Sequence, residues 1–162
     1  MKLAHFFALA LATAAWPASA SAQGLPSQKI LTIDVAQTLA QDAMMTCRGN
    51  GFKVTVTVVD SGNVVKALLR DDGAGTGTVE IGRMKANSVM AFGRPSGPPA
   101  NLPPGTPAPP PLLPGTINAM GGVPIKVDNQ VIGAISVSGA PSGDKDAACA
   151  NAALEKVADK LK

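Results

Sequence analysis

Residues 121–140, GGVPIKVDNQVIGAISVSGA, limit the possible folds of this chain more than any other stretch. They read as a strand, an Asp-Asn-Gln turn and a second, buried strand of small and β-branched residues. The second strand leaves through Gly139, Ala140, Pro141, Ser142 and Gly143 into a helix. A glycine-bearing loop that meets a helix N-terminus is a place where backbone N–H groups can face a ligand. A second hairpin is equally legible. Phe52 to Asp60 alternates in period two, with Val54, Val56 and Val58 on one face and Thr55 and Thr57 on the other. Ser61-Gly62-Asn63 supplies its turn and Val64 to Arg70 its return strand.

Helices flank both hairpins. From Thr32, a suitable N-cap, the residues Ala36, Leu39, Ala40, Ala43, Met44 and Cys47 fall on one helical face, and Gly49 and Gly51 end the run. After the glycine-rich loop Asp71 to Gly77, Thr78 can cap a helix that runs to about Phe92. Its apolar stripe reads as Ile81, Met84, Ser88, Val89 and Phe92, with Lys85 on the same side. A last helix runs from about Asp144 to Leu161, with Ala150, Leu154, Val157, Ala158 and Leu161 buried and Ser142 or Asp144 as its cap. Between these parts, ten of the 23 residues from Arg94 to Thr116 are proline, which forbids a helix or a central strand there. Apolar segments on both sides must share one core, so residues 95–116 read as a long loop draped over the domain and roofing a pocket.

The N-terminus reads as an export signal. Lys2 precedes an apolar run from Leu3 to Ala15, and Ala20-Ser21-Ala22 fits a small-x-small cleavage site. The run is too short to be a stable membrane anchor. Residues 1–22 are therefore expected to be a signal peptide and residues 23–162 a single domain, periplasmic or secreted. Cleavage would remove Lys2 and bring the net charge from +3 to +2, too weak a bias to attract nucleic acid or an acidic membrane. It would also remove His5 and Trp16, leaving Phe52 and Phe92 as the only aromatic residues. Base stacking and charge-relay catalysis through histidine are thereby excluded. Cys47 and Cys149 are an even pair in an oxidising compartment, and a disulfide between them is expected. If the first and last helices pack side by side, the two cysteines meet.

Few side chains carry chemistry. Asp71-Asp72 and Asp144-x-Asp146 sit at a loop end and a helix start, where turn formation and capping account for them. Gly73-x-Gly75-x-Gly77 lacks the spacing of a dinucleotide fingerprint. Ser136 and Ser138 have no histidine to activate them, so no catalytic residue and no metal ligand is assigned. The remaining candidates form a ligand-binding set: Lys85, Arg94, Ser96, Gly121, Gly122, Ser138 and Gly139. Two cations and two glycine-rich turns then flank the proline-rich cover.

An ordered series runs through the chain: VVDSGN at 58–63, RDDGA at 70–74, Lys85-Ala86, FGRPS at 92–96, GGVPI at 121–125 and IGAISVSGA at 132–140. This series resembles the GlcG/HbpS family of haem-binding-like proteins, also seen as the C-terminal domain of some PduO-type corrinoid adenosyltransferases, over roughly Ile30 to Leu161. The resemblance implies a profilin-like α/β sandwich, an antiparallel central sheet with helices on both faces, and a homo-oligomer. It also implies haem or a small ligand as the occupant. The axial atoms available to a haem would be Met44, Met45, Met84, Met90, Met120 or the hydroxyl of Ser96. The expected function is an exported module binding haem or a small anionic metabolite. The alternatives are a small lyase or isomerase using Lys85 as base or Schiff-base former and Arg94 to orient a carboxylate, and a periplasmic oligomeric interaction protein.

Overall fold

The computed structural model describes residues 27–98 and 112–162. The expected signal segment 1–22 and residues 99–111 of the proline-rich stretch lie outside them, so that of the expected roof, 95–116, only 95–98 and 112–116 are described. Thr32 accepts the N–H of Val35 and starts α1 (Ile33–Gly49). The first hairpin is β1 (Thr55–Asp60) and β2 (Val65–Arg70), followed by α2 (Thr78–Phe92). The second hairpin is β3 (Gly122–Val127) and β4 (Gln130–Ser138), followed by α3 (Gly143–Lys156). The strands form one antiparallel sheet in the order β2-β1-β4-β3.

Alternation along the two central strands decides what each face of the sheet meets. Val54, Val56, Val58, Ile135 and Val137 point to one side and pack with Ala36, Leu39, Ala40 and Ala43 of α1 and Ala150 and Ala153 of α3. Thr55, Thr57, Val59, Ala134 and Ser136 point to the other side, which α2 covers. The chain is thus a three-layer α/β sandwich with helices on both faces, as expected. Cys47 and Cys149 join α1 to α3 through a disulfide with a Cα–Cα distance of 5.6 Å.

Three local expectations are corrected. The last helix is not continuous to Leu161: it ends at Lys156, and a short 3₁₀ turn over Ala158–Lys160 leaves Ala158 exposed while Leu161 still leans on the core. Neither Thr78 nor Ser142 caps its helix with a side-chain bond to a backbone N–H; the Thr78 hydroxyl donates instead to the carbonyl of Gly75. The buried stripe of α2 keeps Ser88 and Val89, with Lys85 beside them as expected, but adds Thr78, Gly82 and Ala86, while Ile81 is exposed and Met84 and Phe92 are half-buried. The cause is close packing: a Cβ on Gly82 would stand 3.2 Å from the Thr57 hydroxyl oxygen. Helix and sheet meet through small and hydroxyl-bearing residues, so the most apolar face of α2 is not the one pressed to the sheet.

Candidate functional site

Downstream of α2 the chain makes a compact turn that closes on the start of β3. Gly93, at φ 65°, ends the helix by donating its N–H to the carbonyl of Val89. The Ser96 hydroxyl then donates to the carbonyl of Ala119 at 2.7 Å and accepts the N–H of Gly122 at 2.8 Å. The Ser96 N–H donates to the Gly122 carbonyl at 3.0 Å. Ser96 thereby staples the turn to β3, and its hydroxyl is occupied on both sides.

Beside this staple lies a cleft of about 340 Å³, between the turn (Arg94, Pro95, Ser96, Gly97, Pro98), the start of β3 (Met120 to Val123) and α3. Ala147 and Asn151, one turn apart on α3, form its far wall. Among the described residues, Arg94 is the charged one of the lining. Its guanidinium lies 5.6 Å from the centre of the Phe92 ring and donates through Nη1 to the carbonyl of Gly97. The remaining guanidinium N–H groups can meet an anion.

Lys85 is not a free cation of this cleft. Its Nζ donates to Oδ2 of Asp146 at 2.7 Å and to the carbonyl of Val137 at 2.9 Å, and both charged side chains are 4% exposed. Asp146 also accepts the N–H of Ala140 at 2.9 Å. Burial pushes the Asp146 carboxyl above its ordinary range, and the hydrogen bond from Lys85 opposes that shift. The ion pair sits directly behind Gly121, which has φ 123°; a Cβ there would fall 2.7 Å from Nζ of Lys85 and 2.6 Å from the Val137 carbonyl oxygen. Only glycine fits between the pair and the cleft.

Four expected residues, Arg94, Ser96, Gly121 and Gly122, therefore share one cleft. Lys85 stands behind it, Ser138 is buried, and Gly139 packs on the backbone of Lys53 and Val54. Pro95, Gly97 and Pro98 come from the stretch expected to roof a pocket and Met120 from the candidate axial residues, whereas Val123, Ala147 and Asn151 complete the lining without having been expected. A sequence signal for two of them existed: Ala147 and Asn151 repeat at i, i+4 beside the buried stripe of α3. Among the methionines, Met120 borders the cleft, Met44 is in the core and Met45 is exposed. Two other hollows, of about 290 Å³ near Lys29 and Leu161 and of about 360 Å³ near Asn63 and Asn87, contain none of the expected residues. Among the described residues no group of three or more His, Cys, Asp or Glu side chains could hold a metal ion.

A second buried carboxylate is structural. Asp71 takes paired hydrogen bonds from Arg48, at 3.0 Å from Nε and 2.8 Å from Nη2, tying the end of α1 to the loop before α2. The Arg48 hydrogen bonds hold the Asp71 carboxyl below its usual range. A lowered value means that the folded state releases the proton more readily than the unfolded state. The resulting stability is present above about pH 4, the ordinary aspartate value, and is lost as pH falls through the lower folded value. Urea midpoints of the wild type and Asp71→Asn are thus expected to differ most above about pH 5 and to converge on acidification. A gap that stays constant with pH would remove the ionised pair as its source.

The fold and cleft define a class: a small α/β sandwich with one antiparallel sheet between helical layers and a cleft beside its edge strand. A family model described as "Haem degrading protein HbpS-like" matches residues 31–155, and the chain belongs to that HbpS-like family. Among solved structures, HbpS superposes with a TM-score of 0.70 at 27% identity, over 85% of this chain and 98% of that one. The Klebsiella pneumoniae protein ORFY superposes with a TM-score of 0.67 at 26% identity, over 83% of this chain and 96% of that one. The PduOC–haem complex shares the fold, with a TM-score of 0.64 at 19% identity, over 78% of this chain and 94% of that one. No curated protein matches the sequence.

Proposed function

We propose that the protein is an exported binding module whose cleft takes a carboxylate-bearing, largely apolar ligand, either haem-like or a small anionic metabolite. The observation that carries this reading is the lining itself: the Arg94 guanidinium stands over an otherwise uncharged hollow of Pro95, Pro98, Met120, Val123 and Ala147. Apolar walls with one convergent cation suit an organic anion, which the walls bind by burial and the cation orients. The family description names haem, and the cleft fits part of that group. Arg94 would meet a propionate, while Pro95, Pro98 and Met120 would cover one edge of the ring. About 340 Å³ is near the small end of ligand pockets, so a porphyrin would enter by an edge and a smaller acid would enter whole.

Binding is favoured over catalysis because Lys85, the candidate base, is engaged by Asp146 and the Val137 carbonyl behind Gly121. The buried disulfide supports an oxidising compartment, and no helix among the described residues is long and apolar enough to cross a membrane. Assembly as a homo-oligomer is part of the same reading. Val65, Leu68 and Leu69 are exposed along the edge strand β2, a surface a second copy could cover.

The test is a titration of the purified protein with ferric haem and with a series of aromatic and aliphatic carboxylates. Saturable binding at micromolar concentration is expected. Arg94→Ala should weaken it about tenfold, the effect of losing one charge-assisted hydrogen bond at a partly exposed site. Lys160→Ala, on the C-terminal 3₁₀ turn, should leave it unchanged. Equal affinity in wild type and Arg94→Ala would remove the cleft as the site.

A further inference from the structure

We infer that the cleft recognises a porphyrin through its carboxylate and ring edge alone, and that a central iron adds nothing to affinity. This deepens the reading above and rests on it. Side chains that hold haem iron in proteins are imidazole, thiolate, phenolate and thioether. Among the described residues, the cleft lining contains no histidine, cysteine or tyrosine. The chain has no tyrosine, and its one histidine, His5, falls in the expected signal segment. Both cysteines are bound to each other between α1 and α3.

Asn151 on the α3 wall offers only a neutral carboxamide, which is not among the haem-ligating side chains, and, Arg94 apart, the remaining polar side chains at or behind the cleft are already committed. The Ser96 hydroxyl donates to Ala119 and accepts from Gly122, Lys85 is paired with Asp146, and Asp146 also serves the Ala140 N–H. Among the described residues of the lining, Met120 is left as the one sulfur. A thioether is a weak donor, and in this lining no second side chain of the haem-ligating types stands opposite it to complete an axial pair. The recognition that remains is Arg94 toward a carboxylate and apolar contact toward the ring, and neither depends on what the ring encloses.

The experiment compares iron(III) protoporphyrin IX with metal-free protoporphyrin IX by absorbance and fluorescence-quenching titration of the wild type, Met120→Leu and Arg94→Ala. Wild-type dissociation constants for the two porphyrins should agree within about threefold, under 0.7 kcal/mol. Met120→Leu, which replaces the thioether by an apolar side chain of similar size, should change both constants by the same factor and leave the Soret position of the iron complex where it is. Arg94→Ala should weaken both porphyrins by the same factor. Iron-porphyrin binding more than about tenfold tighter than the metal-free form overturns the inference. So does a loss in Met120→Leu confined to the iron form. Binding of neither porphyrin, with retained binding of a smaller carboxylate, overturns the inference while the anionic-metabolite reading stands. Binding of no carboxylate at all takes down the functional reading itself.

Discussion

Lys85→Met is expected to lower folding stability at pH 7 by about 3–5 kcal/mol, the cost of leaving a buried charge without its partner. Asp146 is as enclosed as Lys85, each side chain being 4% exposed, and water cannot replace the ammonium. The loss should also depend on pH in a defined direction. Burial already raises the Asp146 carboxyl, and removing Lys85 takes away the hydrogen bond and charge that pull it back. A raised folded value makes the charged form the costly one. The deficit is therefore greatest above the folded value and shrinks as acid neutralises Asp146. Urea unfolding at pH 7 and at pH 5 checks this, with the smaller gap from wild type expected at pH 5.

The double variant Lys85→Met/Asp146→Asn separates pairing from packing. Asparagine keeps an oxygen for the Ala140 N–H and carries no charge, so more than half of the single-variant loss should return. No recovery would mean that the lysine stem, not the ion pair, holds α2 to α3 across Gly121. The pair also bears on the cleft, since Gly121 lies against it. Lys85→Met is thus expected to disturb ligand binding through the Met120–Gly122 wall although Lys85 does not line the cleft.

The layout of the sandwich was legible because it rests on periodicity within single elements. Period two in residues 52–60 and 122–138, and the 3.6-residue stripe from Ala36 to Cys47, each report which side of an element is buried. The stripe of α2 was legible at Ser88 and Val89, with Lys85 beside them, and not at Thr78, Gly82 and Ala86, for a physical reason. Its buried face is built from Gly82, Lys85, Ala86 and Ser88 because the sheet beneath offers threonine and serine hydroxyls and permits close approach. Periodicity identifies the apolar side of a helix and cannot identify a tightly packed polar one.

The cleft was half legible on similar grounds. Arg94, Ser96, Gly121 and Gly122 are marked by glycine-rich turns, whereas the α3 wall depends on how that helix is rotated. Lys85 shows the limit most sharply. Its spacing gave a cation on the buried side of α2, but its partner stands 61 residues away on α3. Nothing local in either helix pairs them. The disulfide was reached because compartment chemistry, unlike helix rotation, acts through composition.

Cys47→Ala/Cys149→Ala should destabilise the protein by about 2–5 kcal/mol, near the top of the range in the chain-entropy treatment. The bridge spans 102 residues, a loop long enough to be worth up to ~4.7 kcal/mol in that treatment. Apart from Leu39 and Met44 of α1, the helical side of the packing it supports is thin in apolar area. Ala36, Ala40 and Ala43 of α1 and Ala150 and Ala153 of α3 contribute single methyl groups to their side of the core. Each buried methyl is worth about 0.8 kcal/mol, well below a leucine or phenylalanine at the same position. Alanines permit close approach of the elements they face but gain little from burial, and the cysteine Cα atoms of the two helices stand 5.6 Å apart. The cross-link therefore bears a large share of holding α1 and α3 on the sheet. Removing it should also steepen the dependence of stability on urea, because an unlinked denatured chain exposes more surface than one closed into a loop. Denaturant unfolding of the variant and the oxidised wild type reads both effects at once. A loss below about 1 kcal/mol with an unchanged slope would put the work back on alanine packing. A large loss with a steeper slope would show that the bridge acts mainly on the unfolded chain.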